Sequence, residues 1–225
     1  MTSATNTRRA REKVEMRQLI VDTAIKMYIE EGYDKLTLRG IAQRIEYAAG
    51  TLYLYFKDKH ELYHAMHEWA FKQLLEQMER ELTPIQNPVD RLRAMSEIYI
   101  TFAFKNPELY DLMFILNEPM CAEANMDDWP CGQSVYNLLV ETVQEAINKG
   151  LFKDENAQTL AFMFWSSSHG MISLYLRNRL RMYAGEDLKQ LINYTEDMIL
   201  RYFLARPSYV PFAKTTVAKK STHLF

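Results

Sequence analysis

Turns need breakers, and this chain has few: seven glycines and seven prolines in 225 residues. Between them apolar side chains recur every three or four positions, the spacing of one face of a helix, and no segment alternates as a half-buried strand does. Leu62, Met66, Ala70, Leu74 and Met78 make one such stripe. The chain is therefore predicted to be all-α, with no internal repeat. Its 48% hydrophobic content suits a folded core, held in one large domain or two smaller ones.

Start and stop signals divide the helices. Residues 1–7 are small and polar and are predicted to be disordered. A first helix carries Leu19, Ile20, Ala24, Met27 and Tyr28 on one face and ends at Gly32, which can take the left-handed conformation freely. Thr37 caps a short second helix, with Ile41 and Ile45 four apart. The stretch GTLYLYFKDK, residues 50–59, reads as a third helix, and a fourth runs from near Asp58 to about Leu82. Asn87-Pro88 and Asn106-Pro107 are cap-and-start pairs for two more. Residues 117–132 form the clearest long loop. Helices follow up to Gly150, over residues 156–180, and over the segment stopped by Pro207. Residues 208–225 are a tail to which no role is assigned.

Composition excludes some classes. The N-terminus is polar and basic with no apolar run behind it, so it is not a secretory signal, and no run approaches the ~20 apolar residues that span a bilayer. Cys121 and Cys131 do not make a disulfide framework. A soluble, cytoplasmic protein is expected. The formal net charge of -2 hides an asymmetry: residues 1–60 carry a small positive excess and the remainder is acidic, so a polyanion would meet the front.

Residues 50–59 pose the sharpest question. On a helix, Ala49, Leu52 and Phe56 share one face and can join Ile41 and Ile45 in a small core. Thr51, Tyr53, Leu54 and Tyr55 point away or sideways, and Gly50 leaves room for close approach. Two short helices joined by the turn EYA make a helix-turn-helix, whose second helix enters a major groove. Tyrosine and threonine hydroxyls and nearby lysines are groups that reach phosphates.

The run TLRGIAQRIEYAAGTLYLYFKDKHEL resembles the DNA-binding region of the tetracycline-repressor (TetR) family of transcriptional regulators, over about residues 15–66. The resemblance implies an N-terminal helix-turn-helix domain with a flexible basic arm over residues 1–57, and a helical ligand-binding and dimerisation domain over residues 58–207. It also implies a homodimer, an operator of double-stranded DNA and a small-molecule effector, with no cofactor, no metal and no catalytic residue. Matched to the family's motif, Thr37, Thr51, Tyr55 and Lys59 hold phosphates, Arg39 and Tyr53 reach base edges or, for Tyr53, a phosphate, and Tyr47 and Lys57 add backbone contacts. Arg8, Arg9 and Arg11 are candidates for an adjacent minor groove. The chain departs from the family at Glu46, where glycine is common, and at Ala48, where a Ser or Thr cap is common.

A regulator needs a second input. Tyr99, Phe102, Tyr110, Met113, Phe114, Phe162, Trp165 and His169 are candidates for a mostly apolar ligand pocket, with core packing as the alternative for each. The run WSSSHG at 165–170 is similar to a W-x-x-x-H-G pattern of one subgroup of the family. The last two helices carry stripes, Leu160, Phe164, Met171 and Leu174 on one and Leu188, Leu191, Thr195, Met198 and Tyr202 on the other. The resemblance implies that this pair forms a four-helix dimer interface, with Ser166, Ser167, Ser168 and Gly170 allowing close approach.

Rival constellations exist. His60, Glu61 and His64 read as H-E-x-x-H, the pattern of zinc hydrolases, and His67 adds a third imidazole. A zinc hydrolase or metal-binding protein is the alternative reading. The Ser166–Ser168 run beside His169 lacks the strand-turn-helix elbow a nucleophile needs, and a Cys121–Cys131 redox pair is a further option. A lipid- or protein-binding module would be told apart by lacking salt-dependent binding to duplex DNA.

Overall fold

The computed structural model describes residues 2–116, 130–183 and 187–205. Nine α-helices occupy these residues: α1 Thr2–Glu31, α2 Leu38–Arg44, α3 Ala49–Leu52, α4 Lys59–Leu82, α5 Pro88–Lys105, α6 Pro107–Phe114, α7 Pro130–Asn148, α8 Ala157–Leu176 and α9 Leu188–Phe203. The fold is all-α. Among the described residues the one strand-like pairing is an isolated antiparallel bridge, Phe152 to Leu204, which ties the turn after α7 to the end of α9.

Local chemistry sets most boundaries. The side chains of Thr37, Asp58, Asn87, Asn156 and Asp187 each accept a backbone N–H at the start of α2, α4, α5, α8 and α9. Gly32 ends α1 at φ 84° and Gly150 follows α7 at φ 67°. Three expectations are corrected. Residues 2–7 continue α1 instead of being disordered, and the basic arm is thus helical. Arg8–Glu12 and Arg11–Glu15 pairs bridge successive turns there, and a helix once nucleated extends at little cost. The third helix is one turn, Ala49–Leu52; beyond it the chain tightens into i→i+3 bonds, Leu54 N to Thr51 O at 3.1 Å and Tyr55 N to Leu52 O at 2.9 Å. The long loop stops at 129, because Pro130 begins α7. The rest of that loop, with Cys121, and the tail at 208–225 lie outside the described residues.

The first three helices pack on the N-terminal part of α4 around Ile20, Ala24, Ile41, Leu52, Phe56 and Leu62, all fully buried. Gly40 permits this: a Cβ there would lie 3.3 Å from Met27 Cε of α1 and 3.1 Å from Thr37 Oγ1. Gly50, by contrast, faces open space: a Cβ there would meet nothing within 4 Å among the described residues. In the larger part, α5 runs through the middle and packs on α4, α6, α7, α8 and α9. It buries Leu92, Met95, Ser96, Tyr99, Ile100 and Phe102 on all sides, as a central helix must.

Candidate nucleic-acid interface and ligand cavity

In the helix-turn-helix, Thr37 Oγ1 accepts from Gly40 N at 3.0 Å, which leaves the hydroxyl proton free to donate outward. The turn closes with Tyr47 N on Ala42 O at 2.9 Å and Glu46 N on Gln43 O at 3.3 Å. That paired arrangement requires a left-handed residue at position 46. Glu46 adopts it at φ 61°, so the turn keeps its shape and the glutamate bears the strain. Ala48 caps α3 through its backbone alone.

The outward side carries the residues singled out from the sequence. Tyr53 is 57% exposed and Leu54 76%, while Leu52 and Phe56 on either side of them are sealed. Thr37, Arg39, Tyr47 and Lys57 are exposed, and Thr51 of α3 and Tyr55 just beyond it are half-buried. Arg39 makes no ion pair or hydrogen bond among the described residues. Lys59 is turned partly inward: its ammonium donates to Tyr33 O at 2.9 Å and sits 3.5 Å from the centre of that ring. Arg9 and Lys13 of α1 border one shallow depression with Leu54 and Tyr55, so the basic start of the chain lies beside the recognition turn.

Sequence reasoning missed Arg17. Its guanidinium donates to Tyr55 O at 2.6 Å and to Glu61 Oε1 at 3.1 Å, and lies 4.1 Å from the Phe56 ring centre. It fastens the end of the recognition segment to α1 and α4 at once. No local pattern marks it, since its partners lie 38 and 44 positions away. Glu61 completes the clamp by accepting from Lys57 N at 2.8 Å. This occupies the carboxylate that a zinc hydrolase would need as its base. His60 is exposed, His64 half-buried, and His67 is buried with Nε2 on Met113 O at 3.1 Å. Among the described residues no group of three or more His, Cys, Asp or Glu is placed to hold a metal ion.

The larger part holds a cavity of about 210 Å³ between α4, α5, α7 and α8. Phe71, Leu74 and Met78 come from α4, Met95, Ser96 and Tyr99 from α5, and Phe114 from the end of α6. The far wall is Val135, Tyr136 and Leu139 of α7 with Phe164, Trp165 and Ser168 of α8. Of the candidates from the sequence, Tyr99, Phe114 and Trp165 line it. Phe102 and Met113 are core residues outside the lining, and Phe162 points outward at 55% exposure. Tyr110 and His169 form a layer behind it: the Tyr110 hydroxyl lies 2.9 Å and the Tyr99 hydroxyl 3.2 Å from His169 Nδ1. Burial lowers the pKa of His169 and pushes both tyrosines up. The cluster is thus neutral, two hydroxyls serving one imidazole. The serine hydroxyls near this histidine bond back to their own helix, with Ser166 Oγ donating to Met163 O and Ser168 Oγ to Phe164 O.

Helix α6 joins the parts. Tyr28 of α1 donates to Glu108 O at 3.0 Å, Tyr63 of α4 to Leu112 O at 2.9 Å, and Asp111 is ion-paired with Arg177 at the end of α8. Cys131 is not poised for redox chemistry: burial and the neighbouring Glu68 push its thiol up to about 11, and the reactive form is the thiolate.

On the α8 face turned away from the core, Leu160 and Phe164 are not found; they are buried, correcting the expected interface stripe. The large apolar residues exposed on α8 are Phe162, Met163 and Leu174, with Gly170 facing open space. Of the expected α9 stripe, Met198 at 47% and Tyr202 at 65% exposure face outward, Leu188, Leu191 and Thr195 are half-buried, and Tyr194 is an exposed residue the spacing did not mark.

A helix-turn-helix with an exposed recognition turn, fastened to an all-α body, defines a DNA-binding protein of the helix-turn-helix class. Comparison with known proteins gives the family. The profile described as "Bacterial regulatory proteins, tetR family" matches residues 20–66, and "Tetracyclin repressor-like, C-terminal domain" matches residues 92–198. The chain belongs to the tetracycline-repressor family of transcriptional regulators. It is 22% identical over 208 residues to the HTH-type transcriptional regulator HbdR of Aromatoleum sp., covering 91% of this chain and 86% of that protein. It is 24% identical over 205 residues to a probable acrEF/envCD operon repressor of Escherichia coli, covering 86% and 89%. A protein of unknown function from Rhodococcus sp. RHA1 has a similar fold, with a TM-score of 0.73 at 24% identity over 84% of this chain and 95% of that one. Among the described residues no helix is long and apolar enough to cross a membrane.

Proposed function

We propose that the chain is a homodimeric repressor that leaves its operator when a small, largely apolar ligand fills the cavity. The observation that carries the DNA reading is the recognition turn, where Tyr53 and Leu54 stand in solvent between two fully buried neighbours. Arg39 is the base-reading residue, with Tyr53 reaching a base or a phosphate. Thr37, Thr51, Tyr55 and Lys59 hold phosphates, with Tyr47 and Lys57 as further backbone contacts. Lys59 does so with the donors its bond to Tyr33 leaves over. The DNA-binding unit covers residues 1–57 and the body residues 58–207, and the protein acts in the cytoplasm, on DNA.

Dimerisation is supported by α8, whose 20 residues include no Asp, Glu, Lys or Arg although one face is open. The outward stripes of α8 and α9 form an apolar surface of the kind that marks an interface. Helix α4 supports the switch. It spans 24 residues, about 36 Å at 1.5 Å each, with its start clamped to the DNA-binding unit by Glu61 and Arg17 and its later turns lining the cavity. A ligand that separates α4 from α8 tilts the recognition turns out of register, and differential affinity for the two states is sufficient.

The test is selection of a duplex from random DNA with the purified protein, followed by binding measured against salt. Two chains per duplex and affinity that falls steeply with salt are expected. Absence of duplex binding at low salt, or one chain per selected duplex, would sink the proposal.

A further inference from the structure

The cavity has a mostly apolar lining, but not a wholly apolar one. Ser96 and Ser168 line it, and both are buried. Beside them, from α9, lies Glu196 at 4% exposure. Among the described residues neither oxygen of Glu196, nor Ser96 Oγ, closes a hydrogen bond of good geometry. Burial raises the pKa of Glu196; the hydroxyls of Ser168 and Ser96 offset this only in part, and no cation contributes. A buried carboxyl with no cation beside it is costly to ionise, and a cationic group brought next to it would lower that cost.

The walls narrow what that partner is. Phe71, Tyr99, Phe114, Tyr136, Phe164 and Trp165 present six aromatic rings, and among the described residues no Lys, Arg or His is in the lining. An anionic ligand head would meet aromatic faces and a carboxyl group with no countercharge. An ammonium would meet π faces that attract it and an acid that no cation of the described residues answers.

We propose that the effector is a slender apolar amine, its ammonium passing between Ser96 and Ser168 to pair with Glu196 while its hydrocarbon lies among the aromatic rings. This rests on the reading of the cavity as the ligand site and adds the chemical class. Pairing makes ligand binding report on α9 as well as on α4, α5 and α8, since the acid is carried by an interface helix.

The experiment is calorimetric titration of the full-length protein with three probes of matched shape: phenylbutylamine, phenylbutanol and phenylbutyrate. The amine is expected to bind about tenfold or more tightly than the alcohol, and the acid more weakly than both. In Glu196→Gln the gap between amine and alcohol should shrink to about twofold, with the alcohol unchanged. Equal binding of amine and alcohol, a gap that survives in Glu196→Gln, or no binding by any probe up to millimolar concentration would each overturn the proposal. Should Glu196→Gln fail to fold, the wild-type series decides alone. Operator release is read separately by adding each probe to the protein–DNA complex. Amine preference without release refutes the release mechanism and leaves the ligand class standing; release by alcohol and amine alike does the reverse.

Discussion

Leu52 and Phe56 are fully buried and Tyr53 and Leu54 between them are open, so the DNA-binding unit changes from core to surface within two residues. In the body, α5 alone buries ten residues, and polar groups such as Ser96 and Glu196 lie inside with it. The small unit therefore depends on a thin core closed at its edge by polar clasps: Arg17 on Tyr55 O, Lys59 on Tyr33 O, Arg44 on Glu30 and Glu31. The body has core to spare and leaves a void in it. A surface that reads DNA has to be rigid and outward, whereas the ligand sensor proposed for the body has to keep space inside.

That contrast can be broken by experiment. Leu52→Ala should cost about 3–4 kcal/mol and melt the DNA-binding unit, whereas Leu74→Ala, beside the existing cavity, should cost about 2 kcal/mol because fewer contacts are lost. Equilibrium denaturation followed by circular dichroism checks both, and equal costs would remove the distinction. The next effect is on pH. Burial pushes the pKa of His67 down to about 4 from 6.5, so the folded state holds this ring neutral. Because the folded value is the lower one, its contribution is complete above pH 6.5 and is lost as pH falls from about 6.5 to 4, up to about 2–3 kcal/mol. His67→Gln keeps a donor for Met113 O and should flatten that part of the stability profile.

Smaller effects fall on the reading surface. Arg39→Ala should lower affinity for the selected duplex by about 1–3 kcal/mol and relax its sequence preference, with stability unchanged within about 0.5 kcal/mol. A matching loss of stability would mean that Arg39 supports the fold instead of reading DNA. Last, Glu46→Gly relieves the left-handed backbone and removes a negative charge near the DNA. A gain in stability below about 1 kcal/mol is expected, since glycine also frees the unfolded chain, together with tighter duplex binding at low salt. A loss of stability would show that the glutamate side chain contributes to the turn.

Much of the fold was legible because the signals are short-range. Asn87-Pro88, Thr37 and Asp58 start helices through bonds to backbone groups two or three residues on, and those bonds need nothing else from the chain. The exposed side of the recognition turn was legible for a related reason: 100° per residue separates Leu52 and Phe56 from Tyr53 and Leu54. Its length was not, since apolar content alone does not tell a full helix from one turn followed by i→i+3 bends. The cavity was half legible. Aromatic abundance pointed to Tyr99, Phe114 and Trp165, but Phe102 and Phe162 are chemically alike and lie elsewhere, and Leu74, Met95 and Leu139 carry no mark of their own.

What this sequence determined by itself is the all-α class, most helix limits, and which side of each helix is apolar, since each depends on residues at most about four positions apart. Only the tertiary structure decided that Arg17 would lock the recognition turn, that α6 would be gripped by α1, α4 and α8, and that Glu196 would be shut in beside a cavity. Those outcomes join residues tens of positions apart, and whether such groups meet depends on how helices cross and pack, which no local spacing encodes.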